Sequence, residues 1–217
     1  MRQPRDLVDL PYATHLETFT GQLSREGDMD TVRIAERDFE GTEVGGSRFT
    51  ESVLSRVGFI DSGFRRVRFD DVWMHTVRWT ACNLAETNWL DVEVNAGMLA
   101  GVEAWGAGMR RVAFLNCKFD SVNLRGAKLR DVDFVDCVLR DVDFGGATLD
   151  SVTFTGSTLE EAGFDKAQLK KVDLRGARAL GIASGLEGLK GAVISNVQLL
   201  ELAPALAHAL GITVKDR

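Results

Sequence analysis

Residues 127–151 read AKLRDVDFVDCVLRDVDFGGATLDS, five pentads laid end to end: AKLRD, VDFVD, CVLRD, VDFGG and ATLDS. The third residue of each is Leu or Phe, and the first is Ala, Val or Cys. Following the third position outward in both directions gives a series of every fifth residue from Phe39 to Ala179, and all 29 are apolar. Of the chain's 12 phenylalanines, Phe19 alone lies outside the series. At 45% hydrophobic content, chance would give such a run on the order of 10⁻¹⁰ of the time in a fixed register.

A second series runs two residues earlier, from Thr42 to Ala177, and every member is Ala, Ser, Thr, Val, Cys or Gly. The unit is therefore small–x–large–x–x. Helices repeat at 3.6 residues and strands at 2, so neither explains a period of five. A closed four-sided coil does: five residues make a side, about twenty make a turn, and turns stack at ~4.8 Å. The large residue points to the axis, the small one fits beside it, and the x positions face water. The repeat predicts about seven coils and a rod ~35 Å long. No register shift interrupts it, so no loop leaves the solenoid.

The unit resembles that of the pentapeptide-repeat proteins, (Ala/Val/Ser/Cys)(Asp/Asn)(Leu/Phe)xx, over roughly residues 37–182. The resemblance implies an all-β solenoid, a right-handed quadrilateral parallel β-helix, the hand agreeing with the usual crossover of parallel strands. It also implies a protein without a catalytic site. One group of the family is similar to duplex DNA in width and charge and binds type II topoisomerases, chiefly DNA gyrase, protecting them from quinolones or inhibiting them. The alternative is a rigid protein-interaction scaffold with another partner.

Both ends of an open solenoid need covers. Residues 1–36 are expected to lie out of register, with Ser24 falling at a centre, and to form irregular structure over the first coil. Residues 37–182 form the β-helix and residues 183–217 a C-terminal helical cap. There Ser195 and Gln198 have capping-box spacing, Gly211 suits a helix stop, and Pro204 is expected to kink the helix or start a second one. Leu199, Leu202, Ala203, Leu206 and Leu210 recur at helical spacing. This stripe caps the last coil or forms a two-fold interface. The ending is similar to that of actinobacterial family members that dimerise there, which implies a homodimer. Within the repeat, Ala104 is a small centre, and Trp105 beside it is expected to turn inward.

The formal charge of −6 and pI near 5.2 argue against direct nucleic-acid binding, which needs clustered Lys and Arg. They are compatible with competing against nucleic acid for a basic groove. The start MRQPRDLVDLPY has no apolar stretch of signal-peptide length, and no run of about eighteen apolar residues occurs, so a cytoplasmic protein without membrane contact is expected. Cys82, Cys117 and Cys137 occupy small interior positions, where packing explains them better than a metal. His15, His75 and His208 have no nucleophile at a meaningful spacing. The carboxylates could suggest a polysaccharide-cleaving β-helix, but a narrow, loop-free solenoid builds no cleft, and a solvated face accounts for them. No phosphate-binding glycine loop occurs, and no cofactor or metal is expected.

Positions twenty apart share a face. The side centred on Phe59, Trp79, Phe119 and Leu139 carries seven acids against Arg78, Lys118, Arg140 and Arg178. Its Asp61, Asp120, Asp141, Glu160 and Glu161 are the candidate partner contacts. The side centred on Leu129 carries Arg48, Arg68, Arg110, Arg111, Lys128, Arg130, Lys170 and Lys171 against six acids, and is mildly basic.

Overall fold

The computed structural model describes residues 4–215; residues 1–3 and 216–217, the outermost positions of the two expected covers, lie outside the described residues. Lys128–Val135 pairs in parallel with Gly108–Leu115 before it and with Thr148–Thr153 after it, each at an offset of 20. The same offset joins all but the first and last of the coils into one parallel β-solenoid of about 8 turns. Inside, Phe114, Phe134 and Phe154 form a column with ring centroids 5.2 and 5.0 Å apart and planes within 11°. These spacings follow the rung separation of ~4.8 Å, so identical residues twenty apart stack face to face. All three are buried, which contributes about 1.5–3 kcal/mol each.

The small column has a second task besides fitting. Ser157 Oγ accepts the Cys137 N–H at 2.9 Å and donates to the Phe134 carbonyl at 3.0 Å. Cys137 Sγ accepts the Cys117 N–H at 3.4 Å, and Ser52 and Ser62 bind backbone amides in the same manner. A small side chain with a donor and an acceptor thus satisfies peptide groups that bend away from the ladder at the corner.

The last letter of each pentad is a corner residue in the left-handed region, with φ of 55° at Asp131, 51° at Asp136, 50° at Asp141 and 64° at Gly146. That conformation costs an L-residue about 1–2 kcal/mol, least for Asp, Asn and Gly. The corner conformation therefore explains the D and G letters that solvent exposure alone leaves unspecific.

At the start, Asp28–Asp30 pairs with Arg48–Thr50 and Val32–Glu40 with Val53–Ile60. Met29 and Ile34 are buried centres in the same five-residue register. The five-residue register therefore begins nine residues ahead of the expected position 37, which gives about eight turns instead of seven, and ahead of it Glu17–Thr18 pairs in parallel with Val32–Arg33 at an offset of 15. The register breaks one step earlier: Leu23 is buried and Ser24 exposed. One extra residue between Leu23 and Met29 keeps the serine hydroxyl off the apolar axis.

Residues 4–16, expected with the rest of the N-terminal segment to lie over the first coil, pack on later coils instead. They run back along one side of the rod as a strap with short 3-10 turns at Leu7–Asp9 and Ala13–His15. Leu10 and Tyr12 pack on Val53 and Trp73, and the Tyr12 hydroxyl donates to the Asp71 carbonyl at 2.7 Å. Glu93, whose side chain is 0% exposed, accepts from Arg5 N at 2.8 Å and from Arg5 Nε at 3.1 Å. A buried carboxylate needs such a partner.

At the other end a one-residue bulge pairs Leu159 with Leu180, so Leu180 takes the buried centre expected for Ala179. Helix α1 (Asn196–Ala209) then crosses the last coil. Both bonds of the Ser195–Gln198 capping box form. Gln198 Nε2 also donates to the carbonyls of Leu174 and Ala177, at 2.8 and 3.2 Å, and so closes the open edge. Pro204 neither ends the helix nor starts another. The carbonyl that its missing N–H leaves free belongs to Leu200, whose side chain is on the exposed side of the helix, so the lost bond does not leave a polar group in the core. Gly211 follows at φ 69°. No helix of the described residues is long and apolar enough to cross a membrane.

Candidate partner-binding surfaces

Outward residues twenty apart sit one rung apart, so each outer column is a ladder of side chains. Most charged rungs alternate in sign. Arg111 Nε donates to Asp91 at 2.6 Å, Arg125 pairs with Asp143 at 2.8 Å, and Arg78 reaches Asp38 at 3.0 Å. The Arg111 guanidinium holds the Asp91 carboxyl below its ordinary range.

On the acidic side the five candidate residues divide into two sets. Arg140 lies between Asp120 at 3.9 Å and Glu160 at 3.2 Å, and it neutralises part of both. Asp61, Asp141 and Glu161 occupy one corner column, all exposed, and none makes an ion pair among the described residues. Asp141 accepts from Ser121 Oγ at 2.8 Å. The corner conformation turns these three carboxylates away from the sheet and into solvent.

Trp105 does not turn inward. Ala104 keeps the centre at 3% exposed, while Trp105 is 37% exposed with the Arg65 guanidinium 5.4 Å from its ring centroid. Alanine leaves room at the axis, but the neighbouring position points outward in every pentad, and the backbone holds to that alternation. Cys82, Cys117 and Cys137 are buried free thiols, and burial pushes the Cys117 thiol well up. His15 and His208 are exposed, and His75 stacks on Trp73 at 5.5 Å. No group of three metal-ligating side chains occurs among the described residues.

The C-terminal stripe splits between two surroundings. Leu202 is 4% exposed and Leu206 packs partly against the core, so both cap the last coil. Leu199 and Leu210 face outward at 47% and 74% exposed, joined by Val197 and Leu200 at 66% and 74%. Helical spacing selects one stripe, whereas the exposed apolar side includes two residues outside it.

The strap site escaped the sequence reading. Its signal is present nonetheless: Val53 and Trp73 are apolar at an outward position that elsewhere is mostly polar. Burial pushes the Tyr12 phenol up to about 12.

Residues 107–182 match the family model of the pentapeptide repeat region. Those residues of the solenoid are a pentapeptide-repeat region. No curated protein sequence matches the chain. Among solved structures, a trypsin-treated variant of QnrB1, a plasmid-mediated fluoroquinolone resistance protein, is similar with TM-score 0.58 at 14% identity, over 92% of this chain and 96% of that one. This likeness is one of fold. HetL, a pentapeptide-repeat protein involved in heterocyst differentiation regulation in the cyanobacterium Nostoc sp. strain PCC 7120, gives 0.34 at 16% identity over 81% and 93%. A thylakoid-lumen pentapeptide-repeat protein of Arabidopsis thaliana gives 0.42 at 13% identity over 56% and 74%.

Proposed function

We propose that this pentapeptide-repeat protein is non-catalytic and acts as a rigid rod whose acidic side occupies the DNA-binding groove of a type II topoisomerase, DNA gyrase in the first place. The observation that carries the reading is the corner column of Asp61, Asp141 and Glu161, exposed carboxylates without intramolecular cations. Asp141 and Glu161 stand on adjacent rungs and Asp61 four rungs away; these carboxylates take the place of duplex phosphates, and a basic groove attracts them through electrostatic complementarity. The shared fold with QnrB1 supports the reading. Competition for the groove inhibits the enzyme or protects it from a drug that acts on the DNA-bound form. The exposed side of α1, with Leu199, Leu200 and Leu210, joins two copies end to end and lengthens the rod.

The test is a gyrase supercoiling assay with and without a fluoroquinolone, comparing the native protein with a variant carrying Asp61→Lys, Asp141→Lys and Glu161→Lys. The native protein should alter supercoiling or drug sensitivity, less so at higher salt, and the variant should not. No effect of the native protein on gyrase would sink the gyrase reading. The scaffold reading would then gain weight, with the exposed Trp105–Arg65 pair as the observation that favours it.

A further inference from the structure

The face half a coil away from the acidic side carries arginines that neighbour one another. Arg48 is the register partner of Arg68, and Arg110 of Arg130, so two like-charged pairs sit on adjacent rungs. Among the described residues, Arg48, Arg68 and Arg110 are the exposed arginines without an ion-pair partner, and Lys128 is likewise unpaired. Arg130 reaches only Asp131, at 3.6 Å. The nearby acids do not quench them. Asp91 is taken by Arg111 and Asp150 by Lys170, while Asp28 and Asp70 lie in neighbouring positions without forming an ion pair. Like charges directly across a rung are destabilising, and Arg48, Arg68 and Arg110 form no ion pair that offsets them, although Asp28 stands one rung from Arg48 and Asp150 one rung from Arg130.

Beside Arg110, Lys128 and Arg130 lies a shallow groove of about 360 Å³, floored by Asn88, Trp89 and Gly108 and edged by half-buried Leu90, with Arg68 one rung beyond Asn88. A side chain on residue 108 would come 3.2 Å from Asn88 Oδ1, so glycine keeps the floor low. From Arg48 to Lys128 the patch covers four rungs, ~19 Å, and Asp28 and Asp150 bound it at either end.

We propose that this face is a second docking surface, for a carboxylate-rich protein segment that places acidic side chains on Arg68, Arg110 and Lys128 and one apolar side chain over Leu90. Arg forks match carboxylates bidentately. The bounding acids make a short acidic segment the better occupant than a nucleic-acid strand, which would continue past Asp28 and Asp150 in a chain of net charge −6. The rod then engages oppositely charged surfaces with opposite faces. This inference does not depend on gyrase.

The probe is a short fluorescently labelled peptide of alternating Asp and Glu with a central Leu, read by anisotropy against the full chain. Binding should weaken with salt and fall roughly tenfold or more in the Arg68→Glu, Arg110→Glu variant. It should also fall when the central Leu becomes Ser, and persist when Asp141 and Glu161 are reversed. Arg68→Glu alone should raise the Tm, because Arg48 gains a complementary neighbour; this readout separates a binding defect from a folding one. No binding at low salt, binding indifferent to the double variant, tighter binding of a labelled DNA duplex than of the peptide, or a lowered Tm in Arg68→Glu would each overturn the proposal.

Discussion

The inward and outward residues of a single coil follow different constraints. Inward, Phe114, Phe134 and Phe154 repeat one residue type because each packs on its own counterpart a rung away. Outward, Asp61, Ser121, Asp141 and Glu161 share one column yet differ in type, because solvent tolerates any of them. The interior therefore records the fold, and the exterior is left free to carry what the fold does not require. The contrast between the acidic face and the opposite face of unpaired arginines lies wholly on the exterior.

The largest expected effect comes from breaking the interior. Phe134→Ala should destabilise the solenoid by about 3–5 kcal/mol, measured by denaturant unfolding, with both faces lost together. A loss below about 1 kcal/mol would mean that the column is not cooperative. Next comes the strap, a region packed on the outside of the rod. Arg5→Ala leaves the Glu93 carboxylate buried without its cation, at a cost of about 1–3 kcal/mol, and amide exchange over residues 5–16 should accelerate while the repeat stays protected. Equal acceleration everywhere would show that strap and solenoid are one unit.

The strap also carries a pH dependence. The Tyr12 pKa is raised above its ordinary 10 to about 12 by burial, so the folded strap holds this proton more tightly than the free chain. Its contribution is fully present below pH 10 and is lost as pH rises toward 12. Tyr12→Phe should remove that alkaline step. An unchanged pH profile in the variant would assign the step to another group. Arg140→Ala should change stability least, by about 0–1 kcal/mol, because its pairs with Asp120 and Glu160 are exposed. By freeing both carboxylates it should tighten binding to a basic partner, and weaker binding would remove the acidic side from consideration.

Most of the fold is legible in the sequence because the five-residue repeat applies one rule over a long run, and Phe and Leu can satisfy it only inward. What escapes is what happens once. The strap depends on a single outward carboxylate, Glu93, meeting a single Arg5 across 88 residues of sequence, and no periodicity announces such a pair. The break between Leu23 and Met29 and the bulge at Leu180 are one-residue adjustments that a strict five-residue template passes over. The acidic candidates were found by column, but their pairing was not, since a count of charges does not say that Arg140 is held between Asp120 and Glu160. On α1, spacing selects Leu202 and Leu206 together with Leu199 and Leu210, and only contact with the last coil separates cap from exposed surface.

The most direct test of the central claim is a competition experiment: gyrase with a labelled DNA duplex, titrated with the native protein and with the Asp61→Lys, Asp141→Lys, Glu161→Lys variant. The account predicts that the native protein displaces the duplex, less effectively at higher salt, and that the variant leaves it bound. Displacement by both proteins alike, or a ternary complex in which native protein and duplex are held together, would contradict it.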